Sequence, residues 1–492
     1  LSLLIEGCAV LDETQPDGYA SKQNMLIEGN RIAKITSDKI SSKGIDRVIN
    51  GAGRLAIPGF VNAHTHSPEN FTKATKEKLP LELWLLDLFL VGEFSPREIY
   101  LAAMLGAMEM LKTGTTAVLD HLWMGGGLTP EGLDAAMQAY ADAGIRGGAA
   151  PLVEDNDQVM QAAVAARPAL APLLQDDQDK MSASEYIELL DWFFRKWHRA
   201  ENGRLLCFAG PSGFQWCSEE LLQGSLDVAR RHGGGWHMHL LETKIQAMVC
   251  FDLYGKSATA AMKERDLLGP QVSLAHCVWL DDADLDMLAE TDSRVVHNPA
   301  SNLRLGSGVS PIIEMLERGI KVALGTDGSA SSDNQIMFDA MKLAALIHNL
   351  RSTDRHRWPS SRDIVRMATS NGAAALGLED DLGELKPGKL ADIVLLDTST
   401  LLFTPFNDAF RHLCYTENGS SVHTVIVDGR VVVEDGQVLT ADEESIGEEA
   451  REAWARMYRE LPALREENEP LVQEYEAYQQ EMIGKDFYLN RC

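Results

Sequence analysis

Trp236-His237-Met238-His239-Leu240-Leu241-Glu242-Thr243 is the stretch on which the reading of this chain turns. Its first five residues form an apolar run interrupted by histidine at alternate positions. On a strand, residues i and i+2 share a face, so His237 and His239 point the same way. Glu242 follows His239 by three residues, just past the strand. Ligand-type side chains at the end of an apolar strand are costly to bury unless they are paired or metal-bound.

The pattern recurs on both sides of this stretch. Val272-Ser273-Leu274-Ala275 runs into His276, Lys321–Thr326 into Asp327, Arg294-Val295-Val296 into His297, and Ala117–Asp120 into His121. Upstream, Pro58-Gly59-Phe60-Val61-Asn62-Ala63-His64-Thr65-His66 sets His64 and His66 on one strand face. Longer amphipathic patterns, such as Pro96–Lys112 and Pro311–Arg318, separate these runs. Repeated strand-then-helix predicts a parallel sheet of the α/β class, and a (β/α)8 barrel fits the length. A doubly wound open sheet competes, but no GxGxxG opens a helix here. A barrel gathers the C-terminal ends of its strands at one mouth, so the residues named above would meet there.

The chain ends have another texture. Leu3–Gly7 and Met25–Asn30 near the start, and Ala391–Leu396 and Val425–Val433 near the end, are β-rich runs beside turn signals. They predict a small β-sandwich built from both ends. The expected units are 1–57 and 383–440 for the sandwich and 58–382 for the barrel. Residues 441–492 form an acidic, helix-prone extension, read as a surface appendage.

Composition excludes several classes. The 492 residues are 45% hydrophobic and 24% charged, ordinary for a soluble globular protein. A net charge of −28 disfavours nucleic acid and anionic lipid as partners. No apolar run approaches the roughly 18 residues of a membrane span, and the N-terminus lacks a basic n-region, so a cytoplasmic location is expected. Seven cysteines with no CxxC pair argue against a disulfide framework or a cysteine zinc site.

Together the motifs resemble the amidohydrolase superfamily, in its branch of s-triazine hydrolases and cytosine, guanine and S-adenosylhomocysteine deaminases. The matching segments are Pro58–His66, Trp236–Thr243, Leu274-Ala275-His276-Cys277, His297–Gly308, Gly325-Thr326-Asp327-Gly328 and Gly383–Asp397, in the family's order. The resemblance implies that His64, His66, His239 and Asp327 hold one Zn2+ per chain, with Fe2+ as the alternative ion and His237 as the rival of His239. Binuclear relatives carry a carboxylated lysine on the fourth strand; Leu205–Pro211 has none, so one metal is expected. A metal-activated water would attack a ring carbon and release ammonia or an amine. Asp327 would take a proton, Glu242 would carry protons to the ring and leaving group, and His276 would orient the group under attack. A homodimer is also implied.

Two departures bear on the substrate. Related nucleoside deaminases carry a carboxylate just before the tryptophan of a PLxEW-like segment, where this chain has Leu83 before Trp84. They also carry a histidine after the fourth strand, where this chain reads Pro211-Ser212-Gly213-Phe214. Both departures favour a small aminated aromatic N-heterocycle without a sugar: a pyrimidine, purine base, pterin or s-triazine. Trp84, His121, Gln215, Trp216, Asn302 and Ser331 are the candidate substrate contacts, with barrel packing or loop capping as the alternative role of each. Amide, cyclic-amide or dechlorinating s-triazine hydrolysis is the competing chemistry, and a catalytically silent metal-binding scaffold the competing class.

Overall fold

The computed structural model describes residues 2–174 and 180–491. The chain begins with β1 (Ser2–Leu11), β2 (Tyr19–Glu28), β3 (Arg31–Thr36), β4 (Arg47–Asn50) and β5 (Arg54–Pro58). Eight further strands follow: β6 (Phe60–Thr65), β7 (Thr115–Leu122), β8 (Arg146–Val153), β9 (Leu205–Pro211), β10 (Gly235–Leu240), β11 (Val272–His276), β12 (Arg294–His297) and β13 (Val322–Leu324). The last four are β14 (Ile393–Asp397), β15 (Val422–Val427), β16 (Arg430–Glu434) and β17 (Gln437–Val438).

Strands from both ends join in one nine-stranded sheet ordered β17-β16-β15-β14-β5-β1-β2-β3, with β4 beside β1. Alternation assigns its two faces. Ala56, Ile393, Leu395 and Ile426 enter a core with Leu3, Ile5, Met25, Ile27 and Ile32, around which the sheet curls. Their neighbours Leu55, Ile57, Val394, Leu396, Val425 and Val427 face the large core shared with the barrel helices. Buried Arg146, at the start of β8, donates from Nε and Nη2 to the Asp392 carboxylate, both at 3.0 Å, and so ties the barrel to this sheet.

Strands β6 to β13 run parallel in sequence order as a nearly closed eight-stranded barrel. Val61, Ala63, Ala117, Leu119, Ala150, Phe208, Val296 and Ala323 pack together in its interior. The seam between β6 and β13 closes through Asp327 N donating to His64 O at 3.0 Å and Thr326 N to Asn62 Oδ1 at 3.0 Å. The intervening helices start on local signals. Ser95 and Glu98 form a capping box with Pro96 in the first turn, and Thr243 caps the helix Lys244–Tyr254, which Gly255 ends in a left-handed conformation. The six cysteines among the described residues are buried and free. No helix of the described residues is long and apolar enough to cross a membrane.

The C-terminal extension corrects the sequence reading. Its helix Leu461–Ile483 is no appendage, because Tyr475, Tyr478 and Met482 are buried against Leu83, Leu170, Ile245 and Val249 of the barrel's mouth. Arg465 reinforces the contact with two bonds to the Asp87 carboxylate, at 2.6 and 2.9 Å. Apolar residues at helical spacing on an acidic helix are what bury it.

Candidate active site

Each strand end delivers one part of the site. His64 and His66 come from β6, His237 and His239 from β10, and His276 from β11, while Asp327 stands just past β13. The chain turns sharply at three of these ends. Leu241 (φ 47°), His276 (φ 71°) and Asp327 (φ 65°) all occupy the left-handed region that non-glycine residues rarely adopt. Each such residue costs roughly 1–3 kcal/mol, and the surrounding structure holds it in place.

The side chains converge tightly. His64 Nε2 and His66 Nε2 lie 3.4 and 3.3 Å from Asp327 Oδ1, and the ligand atoms of these three residues all fall within 4.8 Å of one another. His239 Nε2 is 3.3 Å from His66 Nε2. His66 Nδ1 donates to His121 O at 2.6 Å and His239 Nδ1 to Ser212 O at 2.7 Å. Those bonds place a proton on Nδ1 of each ring, which leaves the two neighbouring Nε2 atoms as the ones that can bind an ion. His64 Nε2 is buried with no hydrogen-bond partner. Convergent lone pairs, an orphaned imidazole nitrogen and one carboxylate fit a divalent cation, and the His3Asp donor set suits zinc. His237 is spent elsewhere: Nε2 meets His64 Nδ1 at 2.8 Å and Nδ1 meets Ser273 Oγ at 2.7 Å, so it orients His64.

Electrostatics follow from burial and from Asp327. Burial, with neighbouring imidazoles, lowers His64 to about 4 and holds His237, His239 and His121 well below their usual range. Burial also opposes a charge on His66, but Asp327 and Glu69 outweigh it and push it up to about 9. Asp327 is held well below the carboxylate range, against its burial, by the imidazoles of His64 and His66 beside it. Burial pushes Glu242 up to about 7 although His276 pulls it down. Glu242 Oε2 is 3.6 Å from His276 Nε2, and Ser307 Oγ donates to its Oε1 at 3.1 Å. His276 Nε2 is also 3.8 Å from Asp327 Oδ2.

These groups open into a cavity of about 250 Å3 lined by His66, His239, Glu242, His276 and Asp327. Of the candidate substrate contacts, Trp84, Gln215, Trp216 and Ser331 line it. His121 and Asn302 do not. His121 is fully buried beneath the imidazole cluster and donates from Nε2 to Gly210 O at 3.1 Å, although its ligand atom falls in a second tight group with His64 and His239. Asn302 Oδ1 accepts from His276 Nδ1 at 2.8 Å, fixing that ring.

Leu83 needs correction. It packs with Ala163, Leu170 and Ile245 behind the cavity wall and does not itself line the cavity, which the helix Leu81–Phe89 meets with Leu81, Glu82, Trp84, Leu85 and Leu88. A carboxylate does line the cavity, one position earlier: Glu82, held by Thr243 Oγ1 at 2.6 Å and Gln479 Nε2 at 2.7 Å. The argument from Leu83 against a sugar therefore fails. The sequence reading also missed Glu69. It is buried, lines the cavity, accepts from Ala330 N at 3.0 Å, and is raised by burial to about 7. Its place three residues after His66 was the available signal.

Comparison with known proteins agrees with this geometry. The amidohydrolase family model matches residues 55–432. A 5′-deoxyadenosine deaminase of Methanothermobacter thermautotrophicus is 35% identical over 458 residues, 93% of this chain and 99% of that protein. A 5-methylthioadenosine/S-adenosylhomocysteine deaminase of Thermococcus onnurineus is 36% identical over 423 residues, 85% of this chain and 91% of that protein. Among solved structures, atrazine chlorohydrolase of Arthrobacter aurescens complexed with zinc superposes with a TM-score of 0.84 at 27% identity. It covers 92% of this chain and 100% of its own. The chain belongs to the amidohydrolase family.

Proposed function

We propose that this chain removes the amino group from an adenine-type ring, carried as a nucleoside with an apolar 5′ end, using one zinc ion. The coarser statement is that it is a metal-dependent hydrolytic deaminase of an aminated N-heterocycle. The observation that carries the finer one is the cavity's make-up. Glu242 and His276 stand 3.6 Å apart beside Asp327, and Trp84, Leu85, Trp216, Ile245 and Val249 supply an apolar enclosure with Glu82 among them. Two relatives named as deaminases of 5′-modified adenosines support the same choice.

In this reading His64, His66, His239 and Asp327 hold the ion. A bound zinc ion supplies a water of lowered pKa and polarises the group under attack. The protein's own residues handle the protons. Asp327 Oδ2, on the His276 side, accepts one from the attacking water. Glu242, protonated near neutrality, donates to the ring nitrogen beside the attacked carbon and takes back the proton of the added hydroxyl as the carbonyl forms, while the proton held by Asp327 leaves with the amine as ammonia. His276 steadies the negative charge that develops as the ring is attacked. The apolar walls exclude bulk water and strengthen each of these interactions.

The test is ammonia release by zinc-loaded protein from 5′-deoxyadenosine, 5′-methylthioadenosine, adenine and an aminated s-triazine. Turnover of the two nucleosides is expected to lead. Chloride release from a chlorinated triazine without any deamination would favour the dechlorinating chemistry named for the atrazine enzyme instead.

A further inference from the structure

The C-terminal helix Leu461–Ile483 lies outside the residues that the family model matches, yet Tyr475 on this helix lines the substrate cavity. The helix is fixed there from several sides. Arg167 donates to Glu474 at 3.3 Å and to Glu481 at 2.6 Å. Lys244, at the start of the helix that follows Glu242, donates to Ile483 O at 2.8 Å and Lys485 O at 2.7 Å. Beyond the helix, Tyr488 donates to Asp281 at 3.0 Å, and Val309 N donates to Arg491 O at 2.6 Å. Contacts of this number hold a wall in register with the barrel loops.

The polar groups on this wall are unevenly satisfied. Gln246 Oε1 accepts from Glu242 N at 2.8 Å, which fixes its amide orientation and leaves Nε2 buried without a partner. Gln479 Nε2 donates to Glu82, which leaves Gln479 Oε1 likewise buried and unpaired. The Tyr475 side chain lines the cavity near Glu82, and its hydroxyl takes no hydrogen bond among the described residues. Each Glu82 oxygen uses one lone pair on Thr243 or Gln479 and keeps another. Unmet donors and acceptors buried together require partners. Here they form a polar patch in a wall otherwise made of Leu86, Val159, Met160, Leu173, Ile245 and Val249.

We propose that Tyr475, Gln246 and Glu82 form a recognition subsite for a hydroxyl- or N–H-bearing substituent attached to the heterocycle, with Gln479 as the residue that positions Glu82. The C-terminal helix is then a specificity element of the site. The inference rests on the deaminase reading only for the identity of the ring.

The test uses the full-length, zinc-loaded protein with Tyr475→Phe, which keeps the packed ring, and Gln479→Met, which removes the bond to Glu82. Adenine serves as the bare ring and 5′-deoxyadenosine as the substituted one. Both are followed by ammonia release and by calorimetric affinity. Wild type is expected to prefer the substituted ligand. Tyr475→Phe should reduce that preference about 5- to 10-fold through KM and affinity, as expected for one lost hydrogen bond. Gln479→Met should shift it in the same direction. An unchanged preference in both variants, equal losses on both ligands, or a wild type that binds the two alike would overturn the subsite. Absent ammonia with the binding preference intact, and weakened in the variants, would instead sink the deaminase reading and leave the subsite standing.

Discussion

The Nε2 atoms of His66 and His239 lie 3.3 Å apart, and both rings donate through Nδ1 to main-chain carbonyls. A cation bound between them takes both Nε2 atoms in place of the proton that Asp327 and Glu69 favour on His66, so metal binding and local stability are coupled. Elemental analysis should find one ion per chain in wild type and far less in His239→Ala. Chelation should abolish turnover, and zinc should restore it. The loaded protein should also unfold at a higher temperature, by the equivalent of about 2.7 kcal/mol at a hundredfold excess of zinc over its Kd. Two ions per chain would refute the single-ion site.

Glu242 gives a pH prediction with a definite sign. Burial raises its carboxyl to about 7, so the protonated form that can donate persists to neutrality and is lost as pH rises further. Turnover should therefore fall on the alkaline side of about pH 7. Glu242→Gln keeps the shape and the Ser307 bond but cannot release a proton, and should cost about 10²- to 10⁴-fold in kcat. The residual activity of that variant should lack the alkaline limb. The same limb in both proteins would mean that another group titrates there.

The site's skeleton was legible because strand geometry is periodic. Histidines two apart at the end of β6, and a histidine or aspartate at or just past the ends of β10, β11 and β13, had to converge once the strands closed a barrel. Helical details were less so. Reading Leu83 by its adjacency to Trp84 treated Leu81–Phe89 as a linear motif, whereas a helix sends neighbours 100° apart. Asn302 was misread for a similar reason: the helix Pro299–Arg304 carries it against His276 and out of the cavity. Tyr475 was invisible because no local pattern links it to a mouth formed from residues far earlier in the chain.

Asn302 accordingly tests positioning. Its Oδ1 accepts from His276 Nδ1, which leaves Nε2 facing Glu242 and Asp327. Asn302→Leu should lower kcat about 10- to 100-fold with little change in KM, because the ring is freed while the cavity wall stays. Asn302→Asp keeps the acceptor and should recover much of the loss. A rise in KM alone, for every substrate, would return Asn302 to direct contact with the ligand.

Asn62 carries the barrel seam. Its Oδ1 accepts from Thr326 N at 3.0 Å, and its Nδ2 donates to Thr326 Oγ1 at 2.7 Å and Gln335 Oε1 at 3.1 Å. Gln335 in turn donates from Nε2 to Asp327 O at 3.0 Å. Asn62→Leu removes one member and leaves the Thr326 amide buried without its acceptor, which costs about 1–3 kcal/mol before any loss of packing. Asp327 is held in a left-handed conformation by this network, so slackening the seam loosens the ligand set as well. A lower unfolding temperature should therefore come with weaker zinc affinity. Asn62→Asp, which keeps the Thr326 acceptor, should fall between the two. Unchanged zinc affinity in a destabilised Asn62→Leu protein would show that Asp327 is positioned by its own turn alone.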